Sequence, residues 1–324
     1  MRHLRSVIVA VLALGLFTTG CDDTLTTPDG DHQADRSQRR AGPNVVNVTA
    51  KHQAFETSQQ EIARGWTTFR FKNRSHAPHF MIIEKMPEVN GDQKTVEDSK
   101  AEVVPVFQNI MDDINGQAPS FPDAGFTLPD WFDQVVFLGG PGLTSPGETS
   151  ETRVHLEPGT YVIECYVKTE DGVFHSTNGM IEGLVVNERS NAASEPAGAS
   201  ARVTVSSTDG IQVDGDVGRP GVHTFEVHFD DQTAYSHFLG HDVHLVRLED
   251  GVGMEKLETW MNWVVPGGLA GHVPEGATFL GGVQDMPAGS TAYMTARLTP
   301  GDYAWIAEVP DPSAEGMLVT FSVP

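Results

Sequence analysis

Residues 137–165, FLGGPGLTSPGETSETRVHLEPGTYVIEC, lie without gaps on residues 279–307, FLGGVQDMPAGSTAYMTARLTPGDYAWIA. Ten of the 29 columns are identical: Phe137, Leu138, Gly139, Gly140, Gly147, Thr149, Leu156, Pro158, Gly159 and Tyr161 each meet the same residue in the second stretch. Outward from this block the correspondence continues. Gly65-Trp-Thr-Thr-Phe69 matches Gly221-Val-His-Thr-Phe225, and His76-Ala-Pro-His79-Phe sets against His241-Asp-Val-His244-Leu after a longer connection. Self-similarity in the same order at a long period marks a duplicated unit.

Each copy reads as β. Val45-Val-Asn-Val-Thr alternates apolar and polar, as do Thr67 to Phe71 and Arg153 to Val167, and such alternation places one side of a strand on a core. Pro158-Gly159 before Thr-Tyr-Val-Ile is a turn entering a strand. The expected fold is therefore all-β, two tandem β-sandwich domains. Residues 88–136 interrupt the shared blocks. Thr95-Val-Glu-Asp98 suits a capping box, and Phe107, Ile110, Met111 and Ile114 share one helical face. One or two short helices are expected there, inserted into the sandwich.

The ends divide in the same manner. Arg2 and Arg5 precede an apolar run of 11 residues, Val7 to Phe17, too short to span a bilayer comfortably. Thr18-Thr19-Gly20-Cys21 follows. This resembles a bacterial lipoprotein signal, although Thr18 stands where that pattern usually has Leu. The resemblance implies cleavage before Cys21 and lipidation of its thiol. Residues 1–20 then form the leader and 21–43 a polar tether without apolar periodicity. Residues 44–187 are the first domain. Residues 188–200, rich in Ala, Ser, Asn and Glu, form a linker, and 201–324 are the second domain.

Composition sets limits on function. The chain has 324 residues, 44 acidic against 21 basic, and a formal net charge of −23. Phosphate backbones would be repelled, so nucleic-acid binding is excluded. Two cysteines cannot make a disulfide-rich scaffold or a four-cysteine zinc site. No G-x-S-x-G elbow, phosphate loop or H-E-x-x-H motif occurs.

One thiol remains for chemistry. Cys165 ends an apolar strand, and His175 and Met180 follow it across a Gly-containing loop as C-x9-H-x4-M. Far upstream stands Phe71-Lys-Asn73-Arg-Ser-His76-Ala-Pro78-His79. Two His and one Cys with a distant Met are the ligand set of a blue copper site. His76 and His79 compete for the first position.

The sequence resembles the cupredoxins, the plastocyanin- and azurin-like blue copper proteins. Phe71, Asn73, Pro78 and His79 match the family's segment leading into the first His ligand. Pro158, Gly159, Tyr161, Cys165, His175 and Met180 match its strand and ligand loop. The resemblance implies a Greek-key sandwich in each half. It implies one type 1 copper held by His79, Cys165, His175 and Met180, and electron exchange with redox partner proteins at a bacterial envelope. Phe80 stands where many relatives have Asn. The second copy departs further: Ala307 takes the Cys place, Glu308 to Met317 contains no His, and only His244 and Met317 stand at ligand positions. His237, His241 and His244 form a separate cluster that a metal could use. Three other functions compete with the one-electron carrier. The first is a two-domain copper oxidoreductase of nitrite reductase or oxidase type, which usually has His beside the Cys, where this chain has Glu164 and Tyr166. The others are copper storage or delivery and a copper-free binding module.

Overall fold

The computed structural model describes residues 42–235 and 240–324. The leader, Cys21, most of the tether and His237 lie outside them. Alternation in the sequence becomes alternation in burial: along β1 (Asn44–Lys51), Val46, Val48 and Ala50 are buried while Val45 and Asn47 face out. The first half continues with β2 (Ala54–Thr57), β3 (Glu61–Asn73) and β4 (Ile82–Lys85), then a small hairpin, β5 (Glu88–Val89) and β6 (Asp92–Gln93). After the helical insertion come β7 (Val136–Phe137), β8 (Thr149–Leu156), β9 (Gly159–Glu164) and β10 (Ile181–Ser190). The last of these runs on to Ser190, into the stretch read as linker.

The second half repeats the series. It contains β11 (Ala201–Ser206), β12 (Gly210–Gly215), β13 (Gly221–Phe229), β14 (Val243–Leu248), β15 (Ala277–Val283), β16 (Thr291–Leu298), β17 (Gly301–Ile306) and β18 (Leu318–Val323). In each half a first sheet runs β2–β1–β3–β8 or β12–β11–β13–β16, with the β1–β3 and β11–β13 pairs parallel. The facing sheet is β7–β4–β9–β10 or β15–β14–β17–β18. The start of β3 also crosses over to pair with β10. Tyr161 donates its hydroxyl to the Glu157 carbonyl and the equivalent Tyr303 to that of Thr299, locking the same turn in both copies. Gly159 and Gly301, with φ of 155° and 146°, hold a backbone that side-chain-bearing residues avoid.

The two first sheets fuse. β8 pairs antiparallel with β16 so that Thr152 faces Met294, the equivalent position of the other copy. Pro141 likewise bridges Val283, flanked by Gly142 N–H to Gly282 O and Gln284 N–H to Gly140 O, both 3.1 Å. A local two-fold axis therefore relates the halves, and one hydrophobic core runs through both. At this crossing Gly142 must lack a side chain: a Cβ there would lie 2.6 Å from His244 Nδ1.

The insertion contains α1 (Val96–Asp98), a π-helical turn (Ser99–Val103) and α2 (Val104–Ile114). Asp98 accepts hydrogen bonds from the Thr95 N–H and hydroxyl, the capping arrangement its sequence suggests. Of the expected helical face, Met111 is fully buried and Phe107, Ile110 and Ile114 partly so. Gln108, Asn109 and Asp112 lie deeper because each hydrogen-bonds across to a loop. The insertion covers the outer side of the second sheet, where Val103, Val104 and Trp131 pack on Val162 and Ile181. In the second half α3 (Met254–Met261) occupies the corresponding connection, with Leu257, Trp260 and Met261 buried.

Candidate metal centre

Three loops converge at one end of the first sandwich. Asn73, fully buried at the end of β3, organises the first. Its side-chain N–H groups donate to the carbonyls of Ala77 and Thr144, both at 2.8 Å, and its oxygen accepts from the Ser75 N–H and hydroxyl. His79 is then clamped by Thr144: His79 N–H donates to Thr144 O at 3.2 Å, and Thr144 N–H to His79 O at 2.8 Å. Cys165 follows β9 and donates its N–H to the carbonyl of Met180, while Met180 N–H donates to the carbonyl of His175. His175 N–H reaches the carbonyl of Val167. All four side chains are buried, and His76 is exposed.

The ligand atoms of three of them meet. Cys165 Sγ lies 3.7 Å from His79 Nδ1 and 3.8 Å from His175 Nδ1, and the two Nδ1 atoms are 3.1 Å apart. The point equidistant from these three atoms lies about 2.1 Å from each, close to a metal–imidazole bond length. Met180, tied to both His175 and Cys165 through its backbone, is fully buried beside the group.

Burial shapes the electrostatics. Desolvation pushes the Cys165 thiol up to about 12. It lowers His79 to about 3, assisted by neighbouring His175, and lowers His175 to about 4. At neutral pH the metal-free group is two neutral imidazoles with lone pairs available and one neutral thiol. The backbone N–H groups of Phe80 and Val167 face Sγ and oppose the rise. His79 Nε2 faces the His52 backbone without completing a hydrogen bond.

Two residues that sequence reading passed over hold the ligand loop. Gln108 of α2 accepts hydrogen bonds from the Phe174 N–H (2.9 Å) and the Thr177 hydroxyl (3.0 Å), one on each side of His175. Lys168 is buried, and its ammonium donates to the carbonyls of Trp263 (2.8 Å) and Val265 (3.3 Å) in the second half. Burial lowers Lys168 to about 8. The second half thus braces the loop that carries His175.

The strand register corrects the alignment of the histidines. Ile82 pairs with Glu164, and His244 pairs with Ile306, the counterpart of Glu164. His244 therefore takes the place of Ile82, and His241 is the counterpart of His79, three residues from the sequence alignment. Met317 does correspond to Met180, since Ala307 N–H donates to its carbonyl as Cys165 N–H does to that of Met180. His241 is held by Tyr235, whose hydroxyl lies 3.1 Å from Nε2. His244 clusters with Asp242 and Glu308. Its Nδ1 accepts the Leu143 N–H at 3.0 Å, so Nε2 carries the proton and donates it to Asp242. Asp242 also accepts the Glu308 N–H. Neither ring nitrogen of His244 has a lone pair left for a metal, and the cluster is a buried hydrogen-bonded tie at the junction of the halves.

The fold is cupredoxin-like, two fused β-sandwiches. Among the described residues, only the first carries a complete His–Cys–His set. No family model and no curated protein matches the chain. Among solved structures, it is similar to reduced auracyanin from Roseiflexus castenholzii, at 22% identity and a TM-score of 0.27, covering 45% of this chain and 98% of that one. Auracyanin A of Chloroflexus aurantiacus, described as a blue copper protein, gives 23% and 0.27 over 45% of this chain and all of that one. A copper-containing nitrite reductase from Thermus scotoductus gives 11% and 0.22, over 86% of this chain and 61% of that one.

Proposed function

We propose that this chain is an exported, lipid-anchored copper protein that carries one electron at a time. The convergence of Cys165 Sγ and the two Nδ1 atoms, all within 3.8 Å of one another, carries the reading. Thiolate and imidazole together suit both oxidation states of copper, and a copper ion held there would supply a one-electron couple. Cys165, as thiolate, and the neutral imidazoles of His79 and His175 would hold the ion, with Met180 at the end of the ligand loop as a weak fourth ligand.

The surrounding residues keep this set from rearranging. Asn73 and Thr144 fix His79 from one side, and Gln108 and Lys168 fix the loop of His175 from the other. All four side chains are buried, which keeps the group largely from water and suits a carrier. Anchoring through Cys21 would hold the site at a membrane surface, where redox partner proteins exchange electrons with it. Among the described residues no helix is long and apolar enough to cross a membrane.

The test is the visible spectrum of the full chain with Cu(II). An intense blue band at one copper per chain, lost in Cys165→Ala, supports the reading. A colourless protein, or a band indifferent to Cys165→Ala, overturns it.

A further inference from the structure

At the end of the first sandwich that holds the candidate metal centre, two turns each carry an exposed imidazole. The first joins β1 to β2: Lys51 pairs with Ala54, and His52 and Gln53 close the turn between them. His52 has a φ of 54°, in the left-handed region that His tolerates better than most residues with a side chain. The second turn lies between Asn73 and His79. Ala77 N–H donates to the Ser75 hydroxyl at 3.3 Å, and Ala77 O accepts from Asn73. His76 therefore stands outward between two fixed residues.

The two imidazoles share one hollow. An open depression of about 240 Å³ is lined by His52, Gln53, Ser75, His76, Ala77 and, from inside, buried His175. His79 meets the same β1–β2 turn, its Nε2 facing the His52 backbone. The hollow thus leads from two exposed imidazoles to the two buried ones. Its lining departs from the rest of the chain. In a protein of net charge −23, no Asp, Glu, Lys or Arg borders it. Imidazoles without carboxylates suit copper, zinc, iron and nickel rather than magnesium, calcium or manganese, and Cu²⁺ binds most tightly of the divalent series. Both turns are already held by their own hydrogen bonds, so little ordering opposes a ligand at the hollow.

We propose that His52 and His76 form a copper-capture site, which takes Cu²⁺ from solution and passes it through the hollow to His175, His79 and Cys165. The inference rests on the copper reading above and adds the route by which the ion arrives. No electron moves in the transfer. Two imidazole–copper bonds break, bonds to Cys165 Sγ and the two buried Nδ1 atoms form, and the thiol proton leaves to water.

The test is the rate of copper loading. Metal-free full chain is mixed with equimolar Cu²⁺ in a stopped-flow spectrometer, for the parent and for a His52→Asn/His76→Gln variant. Asn tolerates the left-handed turn, and neither residue is one of the four candidate ligands. The variant should reach the same blue spectrum at one copper per chain. It should do so about tenfold or more slowly at low copper, because capture raises the ion's effective concentration at the mouth. A second readout needs no colour: with excess Cu²⁺, electron paramagnetic resonance should show one more nitrogen-ligated copper in the parent than in the variant. Equal loading rates, equal copper counts, or a blue spectrum altered by the substitutions overturns the proposal. If the double variant does not fold, His76→Gln alone should show the same slowing and the same lost copper. A parent that never turns blue, yet holds the extra copper that the variant lacks, would contradict the carrier reading and leave the His52–His76 site standing.

Discussion

Replacing Gln108 by Met tests whether the helical insertion braces the ligand loop. Met keeps the length of the side chain and removes its hydrogen bonding. Four partners lose out: the buried Phe174 N–H, the Thr177 hydroxyl, and Asp112 and the Gly172 carbonyl, which accept from Gln108 Nε2 at 2.8 and 3.4 Å. A buried backbone donor left unpaired costs about 1–3 kcal/mol, and each neutral hydrogen bond lost adds about 1 kcal/mol. The sum is about 4 kcal/mol against the metal-free fold. Denaturant unfolding of the metal-free protein, with the slope held common to variant and parent, reads this directly. Because Phe174 and Thr177 flank His175, the same variant should also bind copper more weakly and with a shifted absorption band. A variant within about 0.5 kcal/mol of the parent and with an unchanged spectrum would show that Gln108 is a bystander, a difference of the size usual at inert surface positions.

Other expectations follow from the same geometry. In the metal-free fold burial holds His79 at about 3 and His175 at about 4, below the 6.5 of a free imidazole. The unfolded chain therefore takes up protons first on acidification. The contribution of these two histidines to stability should be full above pH 6.5 and fall towards pH 4, with a slope approaching two protons at about 1.4 kcal/mol each per pH unit. Buried Glu84, Asp285 and Glu308, whose carboxyls burial pushes up, act in the opposite sense. The contribution is therefore read as the difference in urea stability between pH 7.5 and 4.5 of the parent against a His79→Gln/His175→Gln variant, and an equal pH dependence in both would contradict this. Copper uptake at pH 7 should release about one proton per ion, because the Cys165 thiol, pushed up to about 12, must ionise while both imidazoles are already neutral. Calorimetry in buffers of different ionisation enthalpy counts that proton, and a count near zero or two rejects the assignment. Asn73→Ala removes four hydrogen bonds from the segment that delivers His79 and should cost about 3 kcal/mol and weaken copper binding; unchanged thermal unfolding would show that the segment holds its shape without them.

Much of the architecture is legible in the chain because duplication writes it twice. Pro158-Gly159-x-Tyr161 and Pro300-Gly301-x-Tyr303 mark the same locked turn, whereas the gapless blocks make Thr152 and Met294 equivalent without showing that they pair across a two-fold axis. The order of His79, Cys165, His175 and Met180 is also readable, since each lies next to a strand signal. That three of their ligand atoms come within 3.8 Å of one another is a matter of loop geometry. The histidine alignment misled because H-x2-H occurs in both halves. Spacing alone could not show that sheet register puts His241, and not His244, opposite the place of His79. Gln108 and Lys168 left no signal, because a side chain that reaches a distant carbonyl or amide imposes no periodicity on its own neighbourhood. The junction carboxylates Asp242 and Glu308 are equally silent in sequence, where an acidic residue in an acidic chain reads as surface.

The central claim is that one copper ion is held by Cys165, His79 and His175 together. X-ray absorption at the copper edge of the loaded full chain tests it most directly. One short sulfur and two imidazole nitrogens per copper, with the sulfur shell abolished in Cys165→Ser, is the expected result. A shell of nitrogen and oxygen without short sulfur in the unmodified chain would place the copper elsewhere and contradict the account.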